Sequence, residues 1–195
     1  MSQLESCASK TTAAAFACGM ALSFGAWTLE ERVMVGAVTG VIDGDTLKVQ
    51  LSSGPVLVRL ANIDAPERIQ PGGGAATRAL HGRVLGEEIS LHVVTQDRDQ
   101  PIVAVVFLGD ENINAWMVKQ GYAWAYRGYT QEADYCVWEN AARALKRGLW
   151  ADKHWVAPWD WRMSRRDSLY FVSDYSNASA ASCMREISQT PGFDE

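Results

Sequence analysis

The feature that most constrains the fold is a pair of strands joined by a tight turn. Residues 47–51 alternate between apolar and polar side chains, which is typical of a strand with one buried face. The turn-forming residues 52–54 follow at once, and 55–63 returns as a second strand. With an earlier strand over 33–42, these short connections predict an antiparallel meander.

The rest of the patterned region adds strands and helices in a recognisable order. Further strands are predicted over 89–94 and 102–108, and apolar residues at helical spacing predict helices over 75–85, 113–119 and 132–146. Five strands with a helix inserted after the third follow the order of an OB-fold. The sequence therefore predicts an α+β, mainly β fold: a five-stranded OB-fold barrel with about three helices.

The two ends of the chain differ from its middle. Residues 11–27 carry no charge and follow Lys10, the layout of a secretory signal or a membrane anchor, although an alanine-rich buried helix is the alternative. We expect 1–32 to be a signal peptide or anchor, 33–162 the folded domain, and 163–195 a polar C-terminal tail. The protein is then exported, periplasmic or secreted, or held at a membrane by this segment alone.

The cysteines support the same expectation. Cys136 and Cys183 lie outside the N-terminal segment, and two cysteines in an exported chain usually pair. We therefore expect a disulfide between them. No CxxC or Cys-His spacing indicates a zinc site.

Charge limits how the chain can meet a polyanion. The net charge is -5 and the pI is near 5.2, so no global positive field draws the protein onto nucleic acid. Any such contact must be local, through a few arginines or a bound cation. Arg143, Lys146 and Arg147 make a basic end to the helix over 132–146, which is expected to be a solvated face that favours the helix dipole.

Tryptophan is frequent in the second half of the chain. Trp116, Trp124, Trp138 and Trp150 occupy apolar positions and are expected in the core. Three more tryptophans are expected to hold the C-terminal segment in which they lie against the barrel: Trp155, Trp159 and Trp161.

Two acidic clusters stand near the ends of predicted strands. Asp43-Gly44-Asp45-Thr46 taken alone is typical of a hairpin turn, and Asp64-Ala65-Pro66-Glu67 taken alone indicates the start of a loop or helix. Adjacent strands of a meander can bring Asp45 and Asp64 side by side, where two like charges are costly unless a cation neutralises them. Oxygen ligands without His or Cys favour calcium or magnesium over zinc.

Two more residues suit phosphate chemistry. Arg59 offers a planar fork for a phosphate, and Glu67 can act as a general base on a water. A cation, a base and a guanidinium are what phosphodiester hydrolysis needs, because its transition state carries extra charge on the phosphoryl oxygens.

Four segments carry a resemblance to a known family. They are VIDGDTLKV at 41–49, VRLANIDAPE at 58–67, INAWMVKQGYAW at 113–124 and ARALKRGLW at 142–150. They resemble bacterial thermonucleases of the staphylococcal nuclease family, and the resemblance runs over about 35–162. It implies cleavage of DNA and RNA with little sequence preference, at single-stranded or flexible regions.

The resemblance also implies roles for individual residues. Asp45 and Asp64 would be calcium ligands, joined by the backbone carbonyl of Ala65, with Asp43 as an outer-shell carboxylate. Glu67 would be the base and Arg59 a phosphate clamp. The nucleotide pocket would be lined by Tyr126 and Tyr129.

One departure from the family pattern bears on activity. Family members usually carry Asp-Arg-Tyr-Gly-Arg before the fifth strand, and the last arginine is a second catalytic clamp. Here the loop reads Asp97-Arg98-Asp99-Gln100-Pro101, so Pro101 stands where that arginine belongs. Loss of one preorganised charge donor costs about 10² to 10³ in rate at comparable sites.

Three hypotheses follow for the function. The first is a calcium-dependent, sugar-nonspecific nuclease with reduced activity. The second is a catalytically impaired nucleic-acid-binding module of the same fold. The third, a structural or interaction domain, is favoured only by the acidic pI.

Overall fold

The computed structural model describes residues 32–128, 132–152, 155–167 and 182–185. The predicted signal or anchor segment, 1–32, lies almost wholly outside the described residues, as does most of the predicted tail.

The described chain forms short strands and helices in the predicted order. The strands are β1 (Val33–Val41), β2 (Thr46–Leu51), β3 (Gly54–Leu60), β4 (Ile63–Asp64), β5 (Glu88–Thr95), β6 (Ile102–Leu108), β7 (Glu111–Asn112) and β8 (Trp124–Ala125). The helices are α1 (Gly73–Val84), α2 (Ile113–Lys119), α3 (Ala133–Ala144) and α4 (Pro158–Asp167), with a 3₁₀ turn at Gly148–Ala151.

Five strands close into a barrel. Strands β3, β2, β1, β5 and β6 are hydrogen-bonded in that order as antiparallel neighbours. A parallel pairing of β3 with β6, from Val58 opposite Ile102 to Leu60 opposite Ala104, joins the two edges. The predicted five-stranded, mainly β OB-fold is confirmed, although the chain has more helical segments than the expected three.

The interior follows from the alternation along each strand. Leu47 and Val49 of β2 are fully buried, while the intervening Lys48 is exposed. Helix α1 packs on the barrel core, because Leu80 and Val84, four residues apart, face the same side and are both fully buried in that core. The barrel therefore holds the main core.

A second apolar cluster holds the C-terminal helix. Trp124 and Trp150 are buried, with ring centroids 4.7 Å apart. Trp155 and Trp159 each pack edge-on against Trp124 at 5.6 Å, so α4 is held against β8 as expected. The helix continues to Asp167, beyond residue 162, where the sequence placed the start of the tail.

The remaining tryptophans occupy intermediate positions. Trp116 and Trp138 are partly buried and pack against the barrel core, as expected from their apolar positions. Trp161 is half-buried on α4, and its backbone N–H donates to the carbonyl of Ala157 at 3.0 Å.

A buried cluster of charged side chains packs against Trp124 and Trp150. Glu139 of α3 is 2% exposed and accepts from Arg127 at 2.6 and 2.9 Å and from Arg143 at 2.9 Å. Its carboxylate also accepts the backbone N–H of Ala125 at 2.8 Å, which ties α3 to β8. The expectation that Arg143 is solvated is wrong, because its guanidinium stacks over the ring of Trp150, 4.0 Å from the centroid.

The two cysteines outside the N-terminal segment lie together. Cys136 of α3 and Cys183 are joined by a disulfide, with Cα atoms 5.7 Å apart. The bond fixes a short helical turn at 182–185 to the barrel domain. Among the described residues, no helix combines the length and apolar character needed to cross a bilayer.

Candidate active site

The two acidic clusters meet at one end of the barrel. The turn between β1 and β2 packs on the chain that follows β4, and the backbone N–H of Ala65 donates to Oδ2 of Asp45 at 2.8 Å. Gly44 makes this approach feasible: a Cβ added there would lie 2.6 Å from the Cβ of Ala65 and 2.8 Å from that of Ala76. The segment Asp43-Gly44-Asp45 thus forms the predicted turn, and it also brings Asp45 into contact with the second acidic cluster.

Arg59 bridges the acidic pair. Its Nη1 lies 3.5 Å from Oδ1 of Asp45, and its Nη2 donates to Oδ1 of Asp64 at 3.1 Å. Asp45 and Asp64 are 3% and 0% exposed, whereas the Arg59 side chain is 39% exposed. Asp43 accepts the backbone N–H of Asp45 at 3.1 Å, so it orients the turn.

Both buried aspartates have raised pKa values. Burial raises the pKa of Asp45 to about 7; Arg59 opposes the shift, while the charges of Asp43 and Asp64 add to it. Burial likewise raises the pKa of Asp64, against the effect of its two arginine partners. Additional positive charge near these carboxylates would relieve this cost.

A residue that sequence reasoning missed completes the cluster. Arg162 of α4 donates to both oxygens of Asp64, from Nη1 at 3.1 Å and from Nη2 at 2.6 Å. Nη1 also donates to Oε1 of Glu67 at 2.9 Å. The hydrogen bond to Asp64 raises the pKa of Arg162 above its usual range. Nothing local in the sequence distinguished this arginine, since it lies 98 residues from Asp64.

Three of these side chains, those of Arg59, Glu67 and Arg162, line one cleft of about 550 Å³, whereas Asp45 and Asp64 are not among its lining residues. Its walls include Arg59, Glu67, Arg162, the half-buried Tyr126 and Pro101. Asp97 and Gln100 of the loop before β6 also face the cleft. Tyr129, the other predicted pocket residue, lies outside the described residues.

The donor set fits a hard cation. Asp45 and Asp64 offer carboxylate oxygens with no histidine or cysteine beside them, and burial, which raises the pKa values of both, disfavours the charged carboxylates that a divalent ion would stabilise. In the described part of the chain, no group of three or more His, Cys, Asp or Glu side chains is placed to hold a metal. A bound ion would therefore depend on this pair, with backbone carbonyl or water oxygens for the remaining positions.

The fold and this cleft define an OB-fold protein with a site suited to a phosphate ester. The staphylococcal nuclease homologue family matches this chain over residues 57–152. An uncharacterized endonuclease of Escherichia coli is 41% identical over 128 residues, which is 65% of this chain and 84% of that protein. A micrococcal nuclease of Shigella flexneri is 35% identical over 144 residues, 68% of this chain and 83% of that protein. Protein ParB of Escherichia coli is 40% identical over 146 residues, 68% and 82% of the two chains.

The chain belongs to the staphylococcal nuclease family, and it is a nuclease, a phosphodiester hydrolase acting on nucleic acid. The family match covers Asp64, Glu67 and Pro101. Asp45 and Arg162, which complete the cluster in space, lie outside the matched residues.

Proposed function

We propose that the protein is a calcium-dependent, sugar-nonspecific nuclease that hydrolyses phosphodiester bonds of both DNA and RNA. The observation that carries the proposal is the buried pair of Asp45 and Asp64, set behind a cleft that presents arginine and carboxylate side chains together. Hard oxygen donors favour calcium, the ion on which nucleases of this family depend.

The side chains of the cleft supply distinct parts of the chemistry. Arg59 points its half-exposed guanidinium at the cleft and would hold a phosphoryl oxygen through charge-assisted hydrogen bonds. Glu67, whose side chain is 36% exposed, would accept a proton from a water that attacks phosphorus. When bound between the aspartates, a calcium ion would supply Lewis-acid charge to the phosphoryl group.

The substrate proposed is single-stranded or flexible nucleic acid. Tyr126 gives the cleft an aromatic side chain on which an unpaired base can stack, independently of its identity. The net charge of -5 disfavours long-range attraction to a rigid duplex, so binding would depend on these local contacts.

We also propose that the protein acts outside the cytoplasm. The uncharged stretch 11–27 after Lys10 supports a signal or anchor, and the bond between Cys136 and Cys183 is of a kind that persists in oxidising compartments. Cell fractionation of a tagged chain, with and without 1–32, would test this. Retention of both forms in the cytosol would contradict it.

Digestion of labelled nucleic acid tests the activity. The wild type should cleave single-stranded DNA and RNA with millimolar calcium and leave them intact with chelator. Glu67→Gln should lower the rate by about 10² or more, since general-base catalysis contributes about 10² to 10⁴. Glu88→Gln, at an exposed position of β5, is the matched control and should cleave like the wild type.

The alternative function is a nucleic-acid-binding module with impaired catalysis. Pro101 in place of the family arginine favours it, because the loop before β6 then brings no positive charge into the cleft. Binding of single-stranded DNA with no calcium-dependent cleavage, in the wild type and in Glu67→Gln alike, would establish this alternative.

A further inference from the structure

The loop side of the cleft lacks a positive charge where phosphate would bind. Pro101, Gln100 and Asp97 line that side, and Arg98 is exposed and absent from the cleft lining. Any second positive charge beside Arg59 in the cleft therefore comes from another element.

Arg162 provides a charge of the required sign in the same cleft. Its guanidinium and that of Arg59 both donate to Oδ1 of Asp64, each at 3.1 Å, so the two cations converge on one carboxylate oxygen. Both side chains are 39% exposed and both line the cleft. A polyanion entering the cleft would meet the two guanidinium groups together.

The hydrogen bonds to the carboxylates leave capacity for a ligand. A guanidinium has five N–H groups. Within the described residues, Arg162 uses two for Asp64 and one for Glu67. The Nε–H and the second N–H of Nη2 remain, on a side chain that is more than one-third exposed. These two N–H groups can donate hydrogen bonds to the oxygens of a phosphate.

Helix α4 holds this arginine in position. Trp159 packs edge-on against the buried Trp124 at 5.6 Å, and Ala157, just before the helix, is fully buried. The Gln70 side chain donates to the carbonyl of Val156 at 2.7 Å, which ties the entry of α4 to the chain just after Glu67. A charge placed by packing in this way needs little reorganisation when the substrate binds.

We propose that Arg162 is the second phosphate-binding arginine of the site, supplied by the C-terminal helix in place of the arginine that the loop ending at Pro101 lacks. The inference rests on the proposed nuclease function and extends it, since it assigns a substrate contact outside the family-matched residues 57–152.

Substitution at Arg162 tests the assignment in a cleavage assay. Arg162→Ala should lower calcium-dependent cleavage of single-stranded DNA by about 10² to 10³, as for loss of one preorganised donor. Arg162→Gln, which keeps a polar side chain near Asp64, should show a similar loss of cleavage rate. It replaces Arg162→Ala in the test if the alanine variant has a markedly lower melting temperature than the wild type. Arg165→Ala is the matched control: it removes an exposed arginine from the same helix and should leave the rate unchanged.

A second substitution tests whether the two positions serve one function. Pro101 lines the same cleft as Arg162. The double variant Arg162→Ala with Pro101→Arg should therefore cleave at least tenfold faster than Arg162→Ala alone. Pro101→Ala in that background should restore nothing, which separates the charge from the removal of the proline ring.

Binding separates failure of this assignment from failure of the nuclease proposal. With chelator present, a fluorescent single-stranded oligonucleotide should bind Arg162→Ala about tenfold or more weaker than wild type or Arg165→Ala. If the wild type does not cleave but this difference holds, the nuclease proposal fails and Arg162 stands as a phosphate contact. If the wild type cleaves and Arg162→Ala matches it in rate and binding, the assignment is overturned. Faster cleavage by Arg162→Ala would also overturn it, because Arg162 would then obstruct the acidic pair.

Discussion

Glu139→Gln should destabilise the fold more than Asp134→Asn, the other acid-to-amide substitution possible in α3. The carboxylate accepts two hydrogen bonds from Arg127, one from Nε of Arg143 and one from the backbone of Ala125, all between 2.6 and 2.9 Å. The amide keeps one oxygen acceptor and turns an NH₂ group toward these donors. Two buried guanidinium groups then lose their counter-charge.

The magnitude follows from the burial of the cluster. Glu139 is 2% exposed, and breaking a buried ion pair by removing one partner costs about 3–5 kcal/mol. With about 2–4 °C lost per kcal/mol for a chain of this size, the melting temperature should fall by about 6–20 °C. Thermal unfolding at pH 7 would measure this. Asp134→Asn, at an exposed position of the same helix, is the control and should cost less than about 1 kcal/mol.

The pH dependence gives an independent check on the same cluster. Burial alone would raise the pKa of Glu139, but the hydrogen bonds and charge of Arg127, with the charge of Arg143, lower it below its ordinary value of 4.5. The folded state therefore binds this proton less readily than the unfolded state, so the stabilisation is present above pH 4.5 and is lost as the pH falls through the folded pKa. The gap between wild type and Glu139→Gln should narrow in acid. A gap at pH 7 no larger than that of Asp134→Asn would refute the reasoning.

Three further outcomes are expected. Millimolar calcium should raise the melting temperature of the wild type but not of Asp45→Asn, because an ion that binds only the native carboxylates stabilises the fold; no response in the wild type, with a higher melting temperature for Asp45→Asn, would indicate plain charge repulsion instead. Gly44→Ala should cost about 1–3 kcal/mol in urea unfolding, since the added Cβ would meet Ala65, and an unchanged midpoint would contradict that contact. Periplasmically produced protein should show no alkylation of Cys136 or Cys183 by intact mass until it is reduced; two freely alkylated thiols would count against the bond.

The sequence determined the barrel because its signals are local. The alternation of 47–51, the turn at 52–54 and the helical spacing over 113–119 each depend on residues a few positions apart, and each matches an observed element closely. The two-residue strands β4, β7 and β8 escaped prediction, because a pair of residues is too short to show a period.

The acidic half of the site was also within reach of the sequence. Asp45 directly precedes β2 and Asp64 lies in β4, shortly after β3, and short connections leave β2 and β3 few other ways to pair. The structure places both beside Arg59. Their roles as calcium ligands, and that of Glu67 as a base, remain predictions for the experiments above.

Only the tertiary structure decided which distant charges meet. Arg162 reaches Asp64 across 98 residues because tryptophan packing seats α4 beside the cleft. Arg143, at what the sequence presents as a solvated helix end, is enclosed by Trp124 and Trp150 and paired with Glu139. The physical reason is common to both: periodicity records which face of an element is buried, whereas the partner of a buried charge is set by how whole elements pack.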